Sequence, residues 1–176
     1  MKQIILVRHP ETKSQIDEKT NKYKMPDPEI SETGLRQLDE INSYLNEFDY
    51  DVIFTSLYRR TRESASKINR LNRPVLGYNA FNEYYNDPTG KGTESVENAI
   101  VRTMTKIYSL FDIYQRVVVI GHSSINKTIL QTILNCEYTE AGKYFNNFGE
   151  VQVMRYDWQA GDKTWQIVDS FIPKQS

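Results

Sequence analysis

This chain has two histidines, and each stands where a hydrophobic run stops. His9 follows Ile4-Ile5-Leu6-Val7-Arg8, and His122 follows Val117-Val118-Val119-Ile120-Gly121. An imidazole changes charge near neutral pH and serves as nucleophile, base or acid. Short unbroken apolar runs of this kind are typical of strands buried on both faces of a parallel sheet. In such sheets ligands bind beyond the carboxyl ends of the strands, so two such ends on one side bring both rings to one crevice. A single histidine of intermediate burial needs no functional explanation. A pair at equivalent strand ends with arginines close by is better explained by a site.

The arginines come from two places. Arg8 precedes His9, and Arg59, Arg60 and Arg62 follow the run Asp51-Val52-Ile53-Phe54-Thr55-Ser56. A serine at a strand end is a natural cap for the next helix, which assigns that role to Ser56. An arginine in the first helical turn can then point back into the crevice. Its planar fork grips phosphate oxygens in pairs and stays charged. Arg59 and Arg62 are expected on a solvated basic face, the ordinary fate of a charge run, with one of the three turned inward.

The elements that must carry these groups alternate short apolar runs with amphipathic stretches, the pattern of an α/β domain. Ile4–Val7 reads as the first strand, and the polar segment from Pro10 to Glu29 as a long loop or irregular excursion. Ser31 is the expected cap of a helix with Leu35, Leu38, Ile41, Leu45 and Phe48 at helical spacing. Asp51–Phe54 is a second strand, followed by a helix over Tyr58–Leu71 and a third strand at Val75–Gly77. The stretch Asn79–Gly92 reads as a loop. Thr93 is the expected cap of a helix bearing Val96, Ile100, Met104 and Ile107. Arg116–Ile120 is the clearest buried strand, and a helix runs from about Ser124 to Leu134. Val151–Tyr156 and Thr164–Phe171 are expected as an antiparallel hairpin at one edge, turning at Ala160-Gly161-Asp162. No linker interrupts the chain, so residues 1–176 read as one domain.

Together these residues carry a family resemblance. Arg8-His9-Pro10-Glu11-Thr12 resembles the Arg-His-Gly-Glu-Thr signature of the histidine phosphatase superfamily, which includes phosphoglycerate mutases. Ser56-Leu57-Tyr58-Arg59-Arg60-Thr61 is similar to the start of its Ser-x-Leu-x-Arg-Ala segment, and that alignment selects Arg60. Asp27-Pro28-Glu29-Ile30-Ser31 resembles its Asp-x-Pro-Leu-Thr/Ser stretch, and Val118–His122 its second histidine after a buried strand. The resemblance implies a three-layer α/β/α sandwich with a mainly parallel sheet and an antiparallel edge. It implies that His9 is phosphorylated while Arg8, Arg60 and His122 hold the phosphoryl group. Such a group spreads negative charge over its oxygens, so fixed cationic donors are what its transfer requires. Phe81-Asn82-Glu83 falls where the family has its acidic Leu-x-Glu segment, which makes Glu83 the expected general acid and Asp87 the reserve. Thr12, Gln15 and Ser123 are expected near phosphate or substrate.

Some positions depart from the pattern. Pro10 replaces a glycine and removes a backbone N–H. Ser123 also stands where glycine is usual. Tyr84-Tyr85-Asn86-Asp87 replaces the family's Trp-Glu-Gly, and the two tyrosines are expected to pack on the surface or to stack on substrate. The expected reaction is hydrolysis of a phosphomonoester. The chain is shorter than mutases in the region of their lid, which favours hydrolysis over phosphotransfer back to substrate. A silent phospho-ligand module is a further alternative. Gly121-His122-Ser123-Ser124-Ile125 looks like a nucleophile elbow, yet no histidine lies downstream, and that excludes a serine hydrolase.

The composition sets the bounds. With 22 basic and 23 acidic residues among 176, the net charge of −1 gives no general attraction for nucleic acid or an anionic membrane. Any anion site must be local. Two distant histidines lack zinc-ligand spacing, so neither metal nor other cofactor is expected. The single cysteine, Cys136, forms no internal disulfide and reads as helix packing, which with the absence of a signal or membrane segment suggests a cytoplasmic setting. A phosphorylated small molecule or phosphoprotein is the expected partner; the oligomeric state is left open.

Overall fold

Valine and isoleucine dominate the runs at residues 3–8 and 116–121, and stiff β-branched side chains favour strands. The structure, a computed structural model, describes residues 1–13, 16–17, 22–23, 27–84, 94–156 and 164–175. Its strands are β1 (Lys2–Arg8), β2 (Ile16–Asp17), β3 (Lys22–Tyr23), β4 (Val52–Thr55), β5 (Val75–Gly77), β6 (Arg116–Gly121), β7 (Val151–Tyr156) and β8 (Trp165–Phe171). Its helices are α1 (Glu32–Tyr44), α2 (Arg59–Ile68), α3 (Val96–Phe111), α4 (Ser123–Leu134) and the single turn α5 (Tyr138–Ala141).

Six strands form one sheet in the order β5-β4-β6-β1-β7-β8, parallel from β5 to β1 and antiparallel through β7 and β8. The chain moves outward from β1 to β4 to β5, then returns to lay β6 between β4 and β1. Right-handed crossovers therefore put α1 and α2 on one face and α3 on the other. The packing agrees. Ile5, Val7, Ile53, Val118 and Ile120 pack with Leu38 and Ile41 of α1 and Ala65 and Ile68 of α2. Ile4, Leu6, Phe54, Val117 and Val119 pack with α3 and α4. Three layers result, with an antiparallel edge, as the sequence led us to expect.

The reversal has a consequence at the strand tips. The loop after β1 leaves toward the α1 face and the loop after β6 toward the α4 face, which opens a crevice between two adjacent strands. That crevice lies beside His9 and His122.

Several boundaries differ from expectation. α1 ends at Tyr44, and Leu45–Glu47 tightens into a 3₁₀ turn that leaves Phe48 extended. Leu35 is 43% exposed although its spacing suits the core. The helix face beside it is given instead to Gly34 and Gln37, whose amide oxygen accepts from Glu11 N at 2.9 Å. Ser95, not Thr93, caps α3 by accepting from Asn98 N, and Thr93 lies outside the described residues. β2 and β3 pair antiparallel inside the segment expected to be irregular. Cys136 stands beyond α4, past the left-handed cap Asn135, and packs against the core there. Tyr84 is buried, with its hydroxyl 3.3 Å from Thr128 Oγ1, so it belongs to the core rather than the surface. The turn at Ala160-Gly161-Asp162 lies outside the described residues.

Candidate active site

The pairing of β1 with β6 ends on Arg8 opposite Gly121, so the next residue on each strand is a histidine. Neighbouring strands lie about 4.8 Å apart, and the two rings meet at 5.2 Å between centroids, edge to face. Their closeness follows from register.

His9 is held along its backbone: its N–H donates to Gly121 O at 3.0 Å and its carbonyl accepts from Gly149 N at 3.2 Å. Gly149 has φ +71, and a side chain there would strike Pro173 at 2.7 Å, so only glycine allows this approach. The ring Nδ1 lies 2.8 Å from Pro10 O. A carbonyl only accepts, so Nδ1 carries the proton and Nε2 keeps its lone pair. Burial lowers the His9 pKa to about 3, aided by the Arg60 and Arg8 charges and partly opposed by the Pro10 carbonyl. His9 is thus a neutral imidazole. Pro10 has no N–H, yet its carbonyl sets the tautomer.

His122 is 1% exposed. Its Nε2 lies 2.9 Å from Ser56 Oγ and its Nδ1 lies 3.1 Å from Arg60 Nη2. Burial, the neighbouring His9 and the charges of Arg60 and Arg8 hold its pKa well below the usual value. Arg60, 5% exposed, also reaches Asp27 Oδ1 at 3.4 Å and lies 4.5 Å over the Tyr58 ring. Asp27 Oδ2 accepts from Arg59 N at 2.7 Å and so ties the segment before α1 to the start of α2. Arg59 faces outward to Glu29 and Glu63, and Arg62 is exposed. Of the three arginines, Arg60 is the one turned inward. Ser56 does not cap α2, whose cap is Tyr58; its hydroxyl is spent on His122 and Thr61 instead.

Arg8 Nη1 donates to the carbonyls of Phe145 and Asn146 at 3.0 and 2.8 Å, and its guanidinium lies 4.3 Å from the Phe148 ring. Ser123 Oγ donates to the same Phe145 carbonyl at 2.8 Å, so this hydroxyl buttresses the segment that holds Arg8. Phe145 adopts φ +57, and buried Glu150 accepts its N–H at 2.6 Å.

Glu83 sits against the start of α4. Oε2 accepts from Ser124 N at 3.1 Å, and Oε1 accepts from Tyr84 N at 3.1 Å and Ile125 N at 3.2 Å. Burial raises its pKa above the usual carboxylate range, while those amides and Arg60 pull part of the way back. A carboxyl whose proton affinity is raised by burial beside a cationic site suits a general acid.

A small cleft lined by His9, Thr12, Pro28 and Arg60 opens over the first histidine. Thr12 is placed there by its bridge to Ile30. Gln15 and Asp87 lie outside the described residues. Arg8, His9, Arg60 and His122 are therefore in one place, Thr12 borders them, and Glu83 lies within the field of Arg60. Ser56, Thr61, Asp27, Tyr58, Phe148 and Glu150 were not expected in this neighbourhood. Ser56, Thr61 and Asp27 lie in motif segments that drew attention for other residues. Nothing local in the sequence marks Phe148 or Glu150. Among the described residues no cluster of three or more His, Cys, Asp or Glu side chains is placed to hold a metal ion. No helix there is long and apolar enough to cross a membrane.

A sandwich of this topology with two histidines at adjacent strand tips is the fold of phosphoglycerate mutase-like proteins. A sequence profile of the histidine phosphatase superfamily (branch 1) matches residues 4–85. The "uncharacterized phosphatase PhoE" of Bacillus subtilis (strain 168) is 34% identical over 97 residues, covering 53% of this chain. The match spans about half of that relative's length, 49%. Three solved structures share the fold. YhfR of Bacillus stearothermophilus has a TM-score of 0.76 at 16% identity over 94% of this chain and 95% of its own. A mycobacterial glucosyl-3-phosphoglycerate phosphatase bound to VO3 has 0.76 at 15% over 99% and 100%. The alpha-ribazole phosphatase of Shigella flexneri has 0.73 at 14% over 99% and 96%. Over residues 4–85 this chain is therefore similar to the histidine phosphatase superfamily, and along nearly its whole length it shares the fold of these solved structures.

Proposed function

We propose that the protein hydrolyses a phosphomonoester on a small molecule through a phosphohistidine formed on His9. The observation that carries this reading is an unprotonated His9 Nε2 beside a buried guanidinium, with a second imidazole 5.2 Å away between ring centroids. In the first step Nε2 attacks phosphorus and the ester P–O bond breaks. The departing oxygen takes its proton from Glu83. In the second step Glu83, now ionised, takes a proton from water as the water oxygen attacks phosphorus. The P–N bond breaks, and His9 returns to its neutral form. Arg8, Arg60 and His122 offset the charge on the phosphoryl oxygens, which is the main demand of such a transfer. Thr12 borders the cleft, Tyr58 and Phe148 lie against the Arg60 and Arg8 guanidiniums, and Ser123 supports the segment that holds Arg8.

Rapid quenching of the reaction with a 32P-labelled phosphomonoester tests this. Wild type is expected to carry acid-labile label, and His9→Ala to fold without carrying any. Label retained in that variant would refute the nucleophile assignment. Glu83→Gln is expected to slow alkyl phosphates about 10²–10⁴-fold and p-nitrophenyl phosphate far less, because nitrophenolate leaves without a proton. Equal losses on both would remove Glu83 from the acid role. EDTA is expected to leave turnover unchanged, and a strong loss would overturn a scheme built on guanidinium and imidazole donors alone.

A further inference from the structure

The hydroxyls beside His122 form a chain whose direction can be worked out bond by bond. Tyr58 N donates to Ser56 Oγ at 3.2 Å. Thr61 Oγ1 donates to a carbonyl, Tyr58 O at 2.8 Å or Ser56 O at 3.2 Å. With its single proton on a carbonyl, Thr61 accepts in the 2.8 Å contact with Ser56 Oγ, a contact in which either hydroxyl could donate. Ser56 then spends its own proton on Thr61. Toward His122 Nε2, at 2.9 Å, Ser56 has only a lone pair to offer. Nε2 therefore carries the proton and Nδ1 does not. The guanidinium agrees from the other side, since Arg60 Nη2 has only protons to give and lies 3.1 Å from Nδ1.

We propose that Ser56 and Thr61 are positioning residues that lock His122 as the Nε2–H tautomer, so that binding of a tetrahedral oxyanion at the His9–Arg60 cleft takes one proton from solvent onto Nδ1. A lone pair at Nδ1 repels a phosphoryl oxygen and keeps Arg60 turned toward the ring. Protonation there turns Nδ1 into a donor and frees Arg60 Nη2, so one proton supplies two hydrogen bonds to the anion. The groups acting on the ring are His9 and Arg8 from β1, Arg60 from α2, and the Tyr58 ring at 5.2 Å. The guanidiniums oppose a cation on His122, and a bound dianion reverses that field. The proton returns to solvent when the anion leaves. The anion half of the inference rests on the phosphatase reading, whereas the tautomer does not.

The test uses the full chain labelled with 15N-histidine, which gives two ring systems to assign. Sulfate is the probe because it stays a dianion from pH 5 to 8. In the free protein His122 is expected as Nε2–H, and with sulfate bound both its nitrogens are expected protonated. Calorimetry in buffers of different ionisation enthalpy is expected to show uptake of about one proton per sulfate. Thr61→Val removes the acceptor, lets Ser56 donate to Nε2, and is expected to move His122 toward Nδ1–H with much less proton uptake. Thr61→Ser is expected to restore both readouts. A role limited to packing would shift neither readout. An Nδ1–H tautomer in free wild type would overturn the lock. Sulfate binding without proton uptake, or failure of sulfate and vanadate alike to bind, would overturn the anion half. Uptake of a proton by a protein that turns over no phosphomonoester would leave the inference standing and sink the hydrolase reading alone.

Discussion

Replacing Arg60 and Arg59 with methionine separates the gripping guanidinium from its neighbour. Methionine keeps most of the aliphatic stem while the charge goes, and with it the guanidinium that lies over Tyr58. At Arg60 the loss strips the guanidinium from the cleft and leaves His122 Nδ1 without its donor. Removing one donor aimed at transition-state charge costs about 3–4 kcal/mol, or roughly 10²–10³ in rate. The Arg59 side chain is 49% exposed and pairs with Glu29 and Glu63 at the surface. Exposed pairs contribute about 0–1 kcal/mol, and screening by salt reduces that further. Hydrolysis of p-nitrophenyl phosphate and inhibition by vanadate are the assays, with urea melts to confirm folding. We expect Arg60→Met to lose at least about a hundredfold in kcat/KM and most vanadate affinity, with Arg59→Met near wild type. Arg60 also helps depress the His9 pKa, so that pKa should rise in Arg60→Met. Equal kinetic effects at the two positions, or an unmoved His9, would refute the assignment.

Other outcomes follow from the same geometry. His9 is neutral when folded down to about pH 3 but protonates near 6.5 when unfolded, so the unfolded chain binds more protons between those values. Its contribution to stability is therefore complete above about pH 6.5 and is lost as pH falls toward 3, at up to about 1.4 kcal/mol per pH unit; His9→Asn should flatten that part of a urea-midpoint profile, and an unchanged slope would contradict a neutral buried ring. A methyl on Gly34 would run into the Glu11 carbonyl, so Gly34→Ala should destabilise by about 1–3 kcal/mol despite better helix propensity, with thermal melts as the check. Arg102 bonds the carbonyls of Asn79, Ala80 and Asn82 and pairs with Glu94, which fixes the segment that carries Glu83. Arg102→Met should lower kcat on alkyl phosphates more than on p-nitrophenyl phosphate; equal losses would indicate a general loosening.

The legible parts of the sequence were those in which local chemistry and register coincide. Buried parallel strands announce themselves as valine and isoleucine runs, and a histidine at each end needs only adjacency of β1 and β6 to become a pair. The Ser56–Arg60 segment was legible as a motif, yet the job of Ser56 was not: a strand-end serine predicts a cap, and only the tertiary approach of His122 diverts it. Phe148 and Glu150 reach the site through the turn before β7, far from any motif, so no local pattern exposes them. Leu35 and Tyr84 exchanged their expected places for a related reason. Helical spacing cannot know that Gly34 must meet Glu11, and a polar loop hides how firmly Thr128 draws one tyrosine inward.

The first strand of the chain is paired on both sides by segments from the far end, 116–121 and 151–156. Contacts so distant in sequence close slowly, and during synthesis the partners emerge long after β1 does. A nascent chain carries the His9 imidazole from the outset but has nowhere to seat it until β7 has left the ribosome. The strand-tip site is thereby assembled only once the segments that form β6 and β7 have been made.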